Sequence, residues 1–384
     1  MVGMTSRERV IKAVERKEPD RPPIDFGGVV AGIVMGAPHG YEALCRELGI
    51  EDPDTPVINT RLSCVQNVDE RILRRFSVDT RHINIGGEPL QELPDGKYRD
   101  AWGLILKQSG LYKSIPDDLA PLRSATTEDD IENYKYWPDP KSPSYIKGKR
   151  KEAKRLHERT DLAVFSHPGY AGRIFHMYAG LRGFDRWLLD MRMEPEFYKA
   201  FANKITDVAI DVCEAFYGEV GDYTDVAVYY DDMGMQTGGF MSLEDFRQFV
   251  RPYTSRYVKA VKNMTGAKVF YHTCGSVYSY LNDIIEMGID ILNPIQPLAK
   301  NMDPETLKSE FGGRICFHGG IDEQKLLPFG SKKEVEESVA RTVKILAPGG
   351  GWIVAPAHNI QPDTPPENIV AMYDTALETA SRLR

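Results

Sequence analysis

The sequence predicts an α/β chain folded as a single (β/α)8 (TIM) barrel, and three observations predict it. Short β-like runs alternate with longer helical stretches along 384 residues, the pattern of parallel strands joined by helical crossovers. The runs number eight, which favours a closed barrel over an open doubly wound sheet. The later runs end in chemically capable polar residues, as the carboxyl ends of barrel strands do.

Composition agrees. With 42% apolar and 27% charged residues the chain is an ordinary globule with a large core. At 384 residues it exceeds the usual domain, but α/β barrels reach this size as one unit, so a single domain is expected over residues 1–384. No stretch approaches the ~20 apolar residues of a membrane span, and the first residues hold no apolar signal core. The net charge of −8 argues against nucleic acid and anionic membranes as partners. Five scattered cysteines (Cys45, Cys64, Cys213, Cys274, Cys316) do not make a disulfide framework and point to a reducing cytoplasm. Nothing in the sequence fixes the oligomeric state.

Thr5-Ser6-Arg7-Glu8 reads as a capping box opening a helix over Val10–Glu15, which Pro19–Pro23 stops. The expected strands are Pro23–Phe26, Thr80–Ile85, Leu162–Phe165, Val226–Tyr230, Lys268–Tyr271, Ile289–Leu292, Arg314–Phe317 and Trp352–Ala355. Helices are expected over Glu194–Tyr217, Leu243–Met264, Val277–Met287, Pro304–Phe311, Lys333–Leu346 and Pro366–Arg382. The interval 86–153 breaks this rhythm. Its short alternating runs and Pro-rich end predict an insertion with a hairpin after the second strand, folded as a lid over the barrel mouth.

Five consecutive strands deliver polar groups to one rim. They run into Asp231-Asp232, His272-Thr273-Cys274-Gly275, Asn293-Pro294-Ile295-Gln296, His318-Gly319-Gly320-Ile321-Asp322 and Pro356-Ala357-His358-Asn359. His272 and Cys274 are two residues apart, so at an extended strand end both side chains face one side and can converge on an ion. One imidazole and one thiolate suit zinc. The plainer alternative makes Cys274 a small buried hydrophobe and His272 a core histidine. His358 is the natural third ligand, with His318 and Cys316 competing. Asp231 and Asp232 are candidates to orient a ligand histidine, bind a metal or act as general base, and helix capping suits one of them equally well. His167 and His176 follow the third strand and are candidates for a fourth ligand or a proton donor, and His318, ahead of Gly319-Gly320, is a candidate to line the pocket or donate a proton. Tyr230, Asn293, Gln296, Asp322 and His167 are candidates for contact with substrate. The tyrosines Tyr170, Tyr178, Tyr229, Tyr230 and Tyr271 suit a flat organic molecule where they face inward, and some of them must be core.

At these residues, and over nearly the whole chain, the sequence resembles the uroporphyrinogen decarboxylase superfamily. The resemblance is carried by Thr5–Val10, Asp231–Gly234, His272–Ser276, Asn293–Pro297, Gly319–Asp322 and His358–Asn368. It implies one of two chemistries: metal-free decarboxylation of a porphyrinogen, or zinc-dependent methyl transfer to or from a corrinoid protein. Decarboxylases of this kind carry an Arg-rich segment after the first strand. Here Asp25–Gly32 holds no arginine, and none follows until Arg46.

Zinc methyltransferases of the superfamily use His-x-Cys and a later Cys, and His358 stands where that Cys falls. A histidine leaves the zinc less negatively surrounded and a stronger Lewis acid, suited to polarising an ether oxygen rather than activating a thiol. The resemblance thus implies Zn2+ on His272, Cys274 and His358. It also implies a methoxylated, aromatic small-molecule methyl donor and the Co(I) of a corrinoid (cobalamin) protein as acceptor: an O-demethylase methyltransferase. Gly238-Gly239 and Gly319-Gly320 are expected to let the corrinoid approach closely. The rivals are the metal-free decarboxylase and a non-catalytic barrel that binds a corrinoid or tetrapyrrole.

Overall fold

The computed structural model describes residues 3–28, 30–59 and 61–383. The first regular strand, β1 (Thr80–Asn84), is followed by β2 (Gln91–Leu93), β3 (Lys97–Arg99), β4 (Ile105–Ser109) and β5 (Tyr112–Ser114), then by β6 (Ala163–His167) and β7 (Val226–Tyr230). A two-residue pair, β8 (Gly234–Met235) and β9 (Gly238–Gly239), precedes β10 (Lys268–His272), β11 (Ile291–Ile295), β12 (Cys316–Ile321) and β13 (Trp352–Pro356).

Seven of these form one parallel sheet in the order β1-β6-β7-β10-β11-β12-β13. The expected first strand, Pro23–Phe26, closes the ring without forming a regular ladder. Val354 donates to Pro23 O and Asp25 N donates to Val354 O on one side, and Asp79 N donates to Ile24 O on the other. The ladder is irregular for a chemical reason. Pro23 has no N–H, and Ile24 gives its own to the Asp79 carboxylate at 2.8 Å instead of to a backbone carbonyl. The α/β barrel is therefore the observed fold.

The strands bury both faces, as parallel barrel strands do. The inner face carries Phe165, Val226, Val228, Phe270, Ile291, Cys316 and Ile353, and the first helix (Ser6–Val14) adds Val10 and Val14. That helix opens on the predicted Thr5–Glu8 capping box. It is pinned by the buried Asp79 carboxylate, which accepts from Arg9 at 2.6 Å, Arg21 at 2.7 Å and Ser6 at 2.7 Å. Helices Pro304–Phe311 and Pro366–Arg382 have the expected bounds. The expected Leu243–Met264 helix contains a π-helical turn at Phe246–Val250, just before Pro252.

Strand ends differ from expectation in a consistent direction. β10, β11 and β12 run on through His272, Asn293 and His318, which belong to the strands rather than to the turns after them. Stepping by two along each strand from the apolar inner residues Phe165, Val228, Phe270, Ile291 and Cys316 arrives at His167, Tyr230, His272, Asn293 and His318. The inside of the barrel is apolar below and polar above.

Between β1 and the helix Lys149–Arg159 lies not one hairpin but an antiparallel meander, β2-β3-β4-β5. It is tied to the rim. Lys113 N donates to Arg61 O at 3.0 Å, and the Tyr112 hydroxyl is hydrogen-bonded to Gln361. Beyond β5, Arg182 holds the carbonyls of Leu122, Arg123 and Ala125 at 2.6–2.9 Å.

Candidate metal centre and adjoining cavity

The rim of the barrel brings His272, Cys274 and His358 together, with one ligand-type atom from each lying within 4.8 Å of the others. His272 Nε2 lies 3.4 Å from Cys274 Sγ, and the rings of His272 and His358 meet edge-on at 5.3 Å. Asn293 Oδ1 is 2.5 Å from His272 Nδ1. An amide oxygen can only accept, so Nδ1 carries the proton and Nε2 presents its lone pair toward the sulfur. Burial pushes His272 down to about 3, and His358 downward too, so both rings stay neutral, as metal ligands must. Burial, with Asp232 beside it, holds the Cys274 thiol well above its ordinary range, which a cation would reverse. Two imidazoles and a thiol match the donor set of a zinc site. The residues fit the ion.

Cys274 is placed by its neighbours. Its N–H is held by Asp232 Oδ1 at 2.7 Å, and Gly275 N by Gln296 Oε1 at 2.7 Å. Gly275 has φ +78°, and a Cβ there would lie 2.4 Å from the backbone carbon of Gly234, so only glycine allows this turn to pack. Asp232 Oδ2 reaches His176 Nε2 at 3.3 Å. Burial opposes charge on both, but their mutual attraction wins: His176 is raised and Asp232 held well below the carboxylate range.

The remaining expected residues fall into distinct places. Asp231 is fully buried and its oxygens accept the N–H groups of Ile174, Phe175 and His176 at 2.8–3.1 Å, besides the Tyr229 hydroxyl. It anchors the start of the helix Phe175–Arg182, and no lone pair is left for base chemistry. Asp322, half-buried, accepts from the N–H groups of Gln324 and Leu326. Its neighbour Glu323 is the buried carboxyl, pushed up to about 7 by burial and hydrogen-bonded to Gln296. His318 is wholly buried and reaches no cavity surface. Gly319 and Gly320 lie inside β12, buried against Ala357 and Ile295, so they offer no open approach to a partner. Tyr178, Tyr229 and Tyr271 are core.

A cavity of about 400 Å³ opens between the barrel and the segment that carries the meander, and Tyr230 in its wall meets the His272 ring at 6.1 Å. His167, Tyr170 and Tyr230 line it from the barrel side, and Asp100, Trp102 and Tyr145 from that segment. Two cationic groups, Arg61 and Arg173, also face it. Arg173 lies over the Tyr230 ring at 5.0 Å and over Tyr170 at 5.6 Å, and its Nε has no hydrogen-bond partner. Arg61, Arg173, Glu323, Asp25 and His82 carry no motif, and the sequence alone did not single them out. For Asp25 a signal existed: a carboxylate in the middle of an otherwise buried strand demands partners.

Residues 114–379, more than half of the chain, match the family described as uroporphyrinogen decarboxylase (URO-D). The chain belongs to the URO-D family. Among curated relatives it is 24% identical over 234 residues to a uroporphyrinogen decarboxylase of Chlorobium phaeobacteroides, an alignment covering 59% of this chain and 62% of that protein. It is 25% identical over 244 residues to one from an Anaeromyxobacter species, covering 62% and 64%. The matches thus span less than two thirds of these relatives. Among solved structures, a methyltransferase from Methanosarcina mazei aligns over 98% of this chain and 99% of its own, with a TM-score of 0.63 and 17% identity. At that identity the likeness establishes a shared fold from end to end. Among the described residues no helix is long and apolar enough to cross a membrane.

Proposed function

We propose that this URO-D family member is a zinc-dependent methyltransferase that moves a methyl group from a methoxylated, aromatic substrate to the Co(I) of a corrinoid protein. The observation that carries the proposal is the convergence of His272, Cys274 and His358 within 4.8 Å, at the rim of the barrel and beside an aromatic-lined cavity. A bound zinc ion would supply Lewis acidity at the ether oxygen, whose departure as phenoxide is the difficult part of such a transfer.

The chain's own residues do the rest. Asn293 fixes the ring of His272, and Asp232 fixes the backbone of Cys274. Tyr170, Tyr230 and Trp102 offer faces for an aromatic ring. His176, held between Asp231 and Asp232 and raised by them, is the proposed proton donor. The insertion is proposed to act as the lid of this site, and the corrinoid protein to dock over the rim.

The experiment is direct. Purified protein is loaded with zinc and mixed with cob(I)alamin and a panel of aryl methyl ethers, and methylcobalamin is followed by absorbance. Transfer that disappears in Cys274→Ala supports the proposal; no transfer from any O-, N- or S-methyl donor removes it.

A second reading, metal-free decarboxylation, is favoured by the names of the curated relatives. Against it, among the described residues Arg61 and Arg173 are the only arginines lining the cavity, too few for a substrate with many carboxylates. Porphyrinogen turnover by zinc-free protein would establish it.

A further inference from the structure

A continuous chain of hydrogen bonds crosses the barrel interior from the candidate metal centre to the cavity. His272 Nδ1 meets Asn293 Oδ1 at 2.5 Å, Asn293 Nδ2 meets His318 Nδ1 at 2.7 Å, and His318 Nε2 meets Asp25 Oδ2 at 2.9 Å. From the other oxygen of Asp25 the chain continues to His82 Nε2 at 2.8 Å and from His82 Nδ1 to His167 Nε2 at 2.8 Å. It ends where His167 Nδ1 meets the Tyr230 hydroxyl at the cavity wall. Asp25 is fully buried, and the Thr80 hydroxyl is its third partner.

Donor and acceptor valence fixes the direction of the first arm. A carboxylate only accepts, so His318 Nε2 carries a proton. An amide nitrogen only donates, so His318 Nδ1 is a lone pair. The amide oxygen must then face His272 Nδ1 and take its proton. His272 Nε2, 3.4 Å from Cys274 Sγ, is left as the free lone pair. Every link follows from the negative charge at the far end.

We propose that Asp25 is a positioning residue for His272: through His318 and Asn293 it locks the tautomer that turns the His272 Nε2 lone pair toward Cys274 and His358. This rests on the reading of those three residues as a metal centre. The same carboxylate also anchors the His82–His167 arm, so one buried charge orients groups at both the metal centre and the cavity wall.

The test uses full-length protein with ¹⁵N-labelled histidine, first without metal. Long-range ¹⁵N–¹H correlation reads which nitrogen of each ring is protonated. The wild type is expected to show His272 as Nδ1–H and His318 as Nε2–H. In Asp25→Asn the amide keeps one acceptor. Oδ1 serves both Thr80 and His82 while Oδ2 serves His318 alone, so the amide oxygen stays with the pair and the NH2 turns on His318. His318 then becomes Nδ1–H, Asn293 turns over, and His272 becomes Nε2–H. Co(II), a spectroscopic stand-in for zinc, then binds about 10- to 100-fold more weakly.

Adding Asn293→Asp to that variant moves the carboxylate to the other end of the arm. It accepts from both His318 Nδ1 and His272 Nδ1, restoring the His272 tautomer and bringing Co(II) affinity to within about threefold of wild type. A merely structural role would make the double variant worse than the single one. A wild-type spectrum with His272 as Nε2–H, or His318 protonated on both nitrogens, overturns the proposal before any variant is made. So does an unchanged tautomer in Asp25→Asn, or a double variant no better than the single. The expected tautomers without Co(II) uptake by any of the proteins would support the Asp25 relay and overturn the metal-centre reading, which keeps the two failures apart.

Discussion

Asp232 and Cys274 are joined through the backbone: one carboxylate oxygen of Asp232 holds the N–H of Cys274 at 2.7 Å, and the other faces His176 at 3.3 Å. The loop after β7 therefore sets the position of a sulfur on the loop after β10. Asp232→Ala is expected to weaken zinc binding about 10- to 100-fold, while Asp232→Asn, which keeps an acceptor for that N–H, loses less. Competition against a chromophoric chelator measures both.

Loss of a ligand itself costs more. Cys274→Ser and His358→Ala are each expected to lower zinc affinity by at least about 100-fold, the upper range for removing a mere supporting partner. Elemental analysis after gel filtration reads the outcome. Full zinc occupancy in both variants would place the ion elsewhere.

Gly275→Ala tests the same turn by sterics. Its φ of +78° and the 2.4 Å approach of a Cβ to Gly234 force the 274–275 backbone to move. Zinc binding is expected to fall while the global unfolding midpoint shifts little, because the turn is at the rim and the core is untouched.

Asp100 gives the stability a pH dependence of known sign. Burial pushes its carboxyl up to about 6, and its Oδ2 has no partner. The folded state binds this proton more tightly than the unfolded chain does. The associated stability is therefore complete below the unfolded value of about 4 and lost as pH rises through 6, a span on the order of 2 kcal/mol. Urea unfolding at pH 4.5 and 8 should show that loss, and Asp100→Asn should abolish it.

Arg173, with its Nε unpartnered at the cavity wall, should favour anionic ligands. Arg173→Met is expected to weaken binding of a methoxylated benzoate about 10- to 100-fold, the value of hydrogen bonds to a charged group, and to leave an uncharged aryl methyl ether nearly unaffected. Titration calorimetry with the two ligands distinguishes charge recognition from packing.

The barrel was legible because its strands are short runs rich in apolar residues that alternate with helical stretches, and the helix bounds Pro304–Phe311 and Pro366–Arg382 because proline opens each. The strand ends were not. His272, Asn293 and His318 look like turn residues, since polarity usually marks solvent, yet they are buried strand positions satisfied by one another. The His272–Cys274 pair was visible from its spacing. His82 was not, because its partners Asp25 and His167 lie far away in sequence, and Asp25 left only the general mark of a carboxylate inside an apolar strand, with nothing local to name its partners. The meander reads in the sequence as a single hairpin because its strands are mostly exposed or half-buried and hold no apolar run to mark them.

The closure of the ring has a consequence for how the protein is made. Ile24, on the first segment of the barrel, pairs with Val354, on its last strand. Until β13 leaves the ribosome, the growing sheet keeps two open edges, the exposed state from which β-rich chains aggregate. His358 follows β13 by two residues, so the three candidate ligands come together only as the ring shuts. A nascent chain stalled before residue 350 should lack both protease resistance and zinc, and gain the two together.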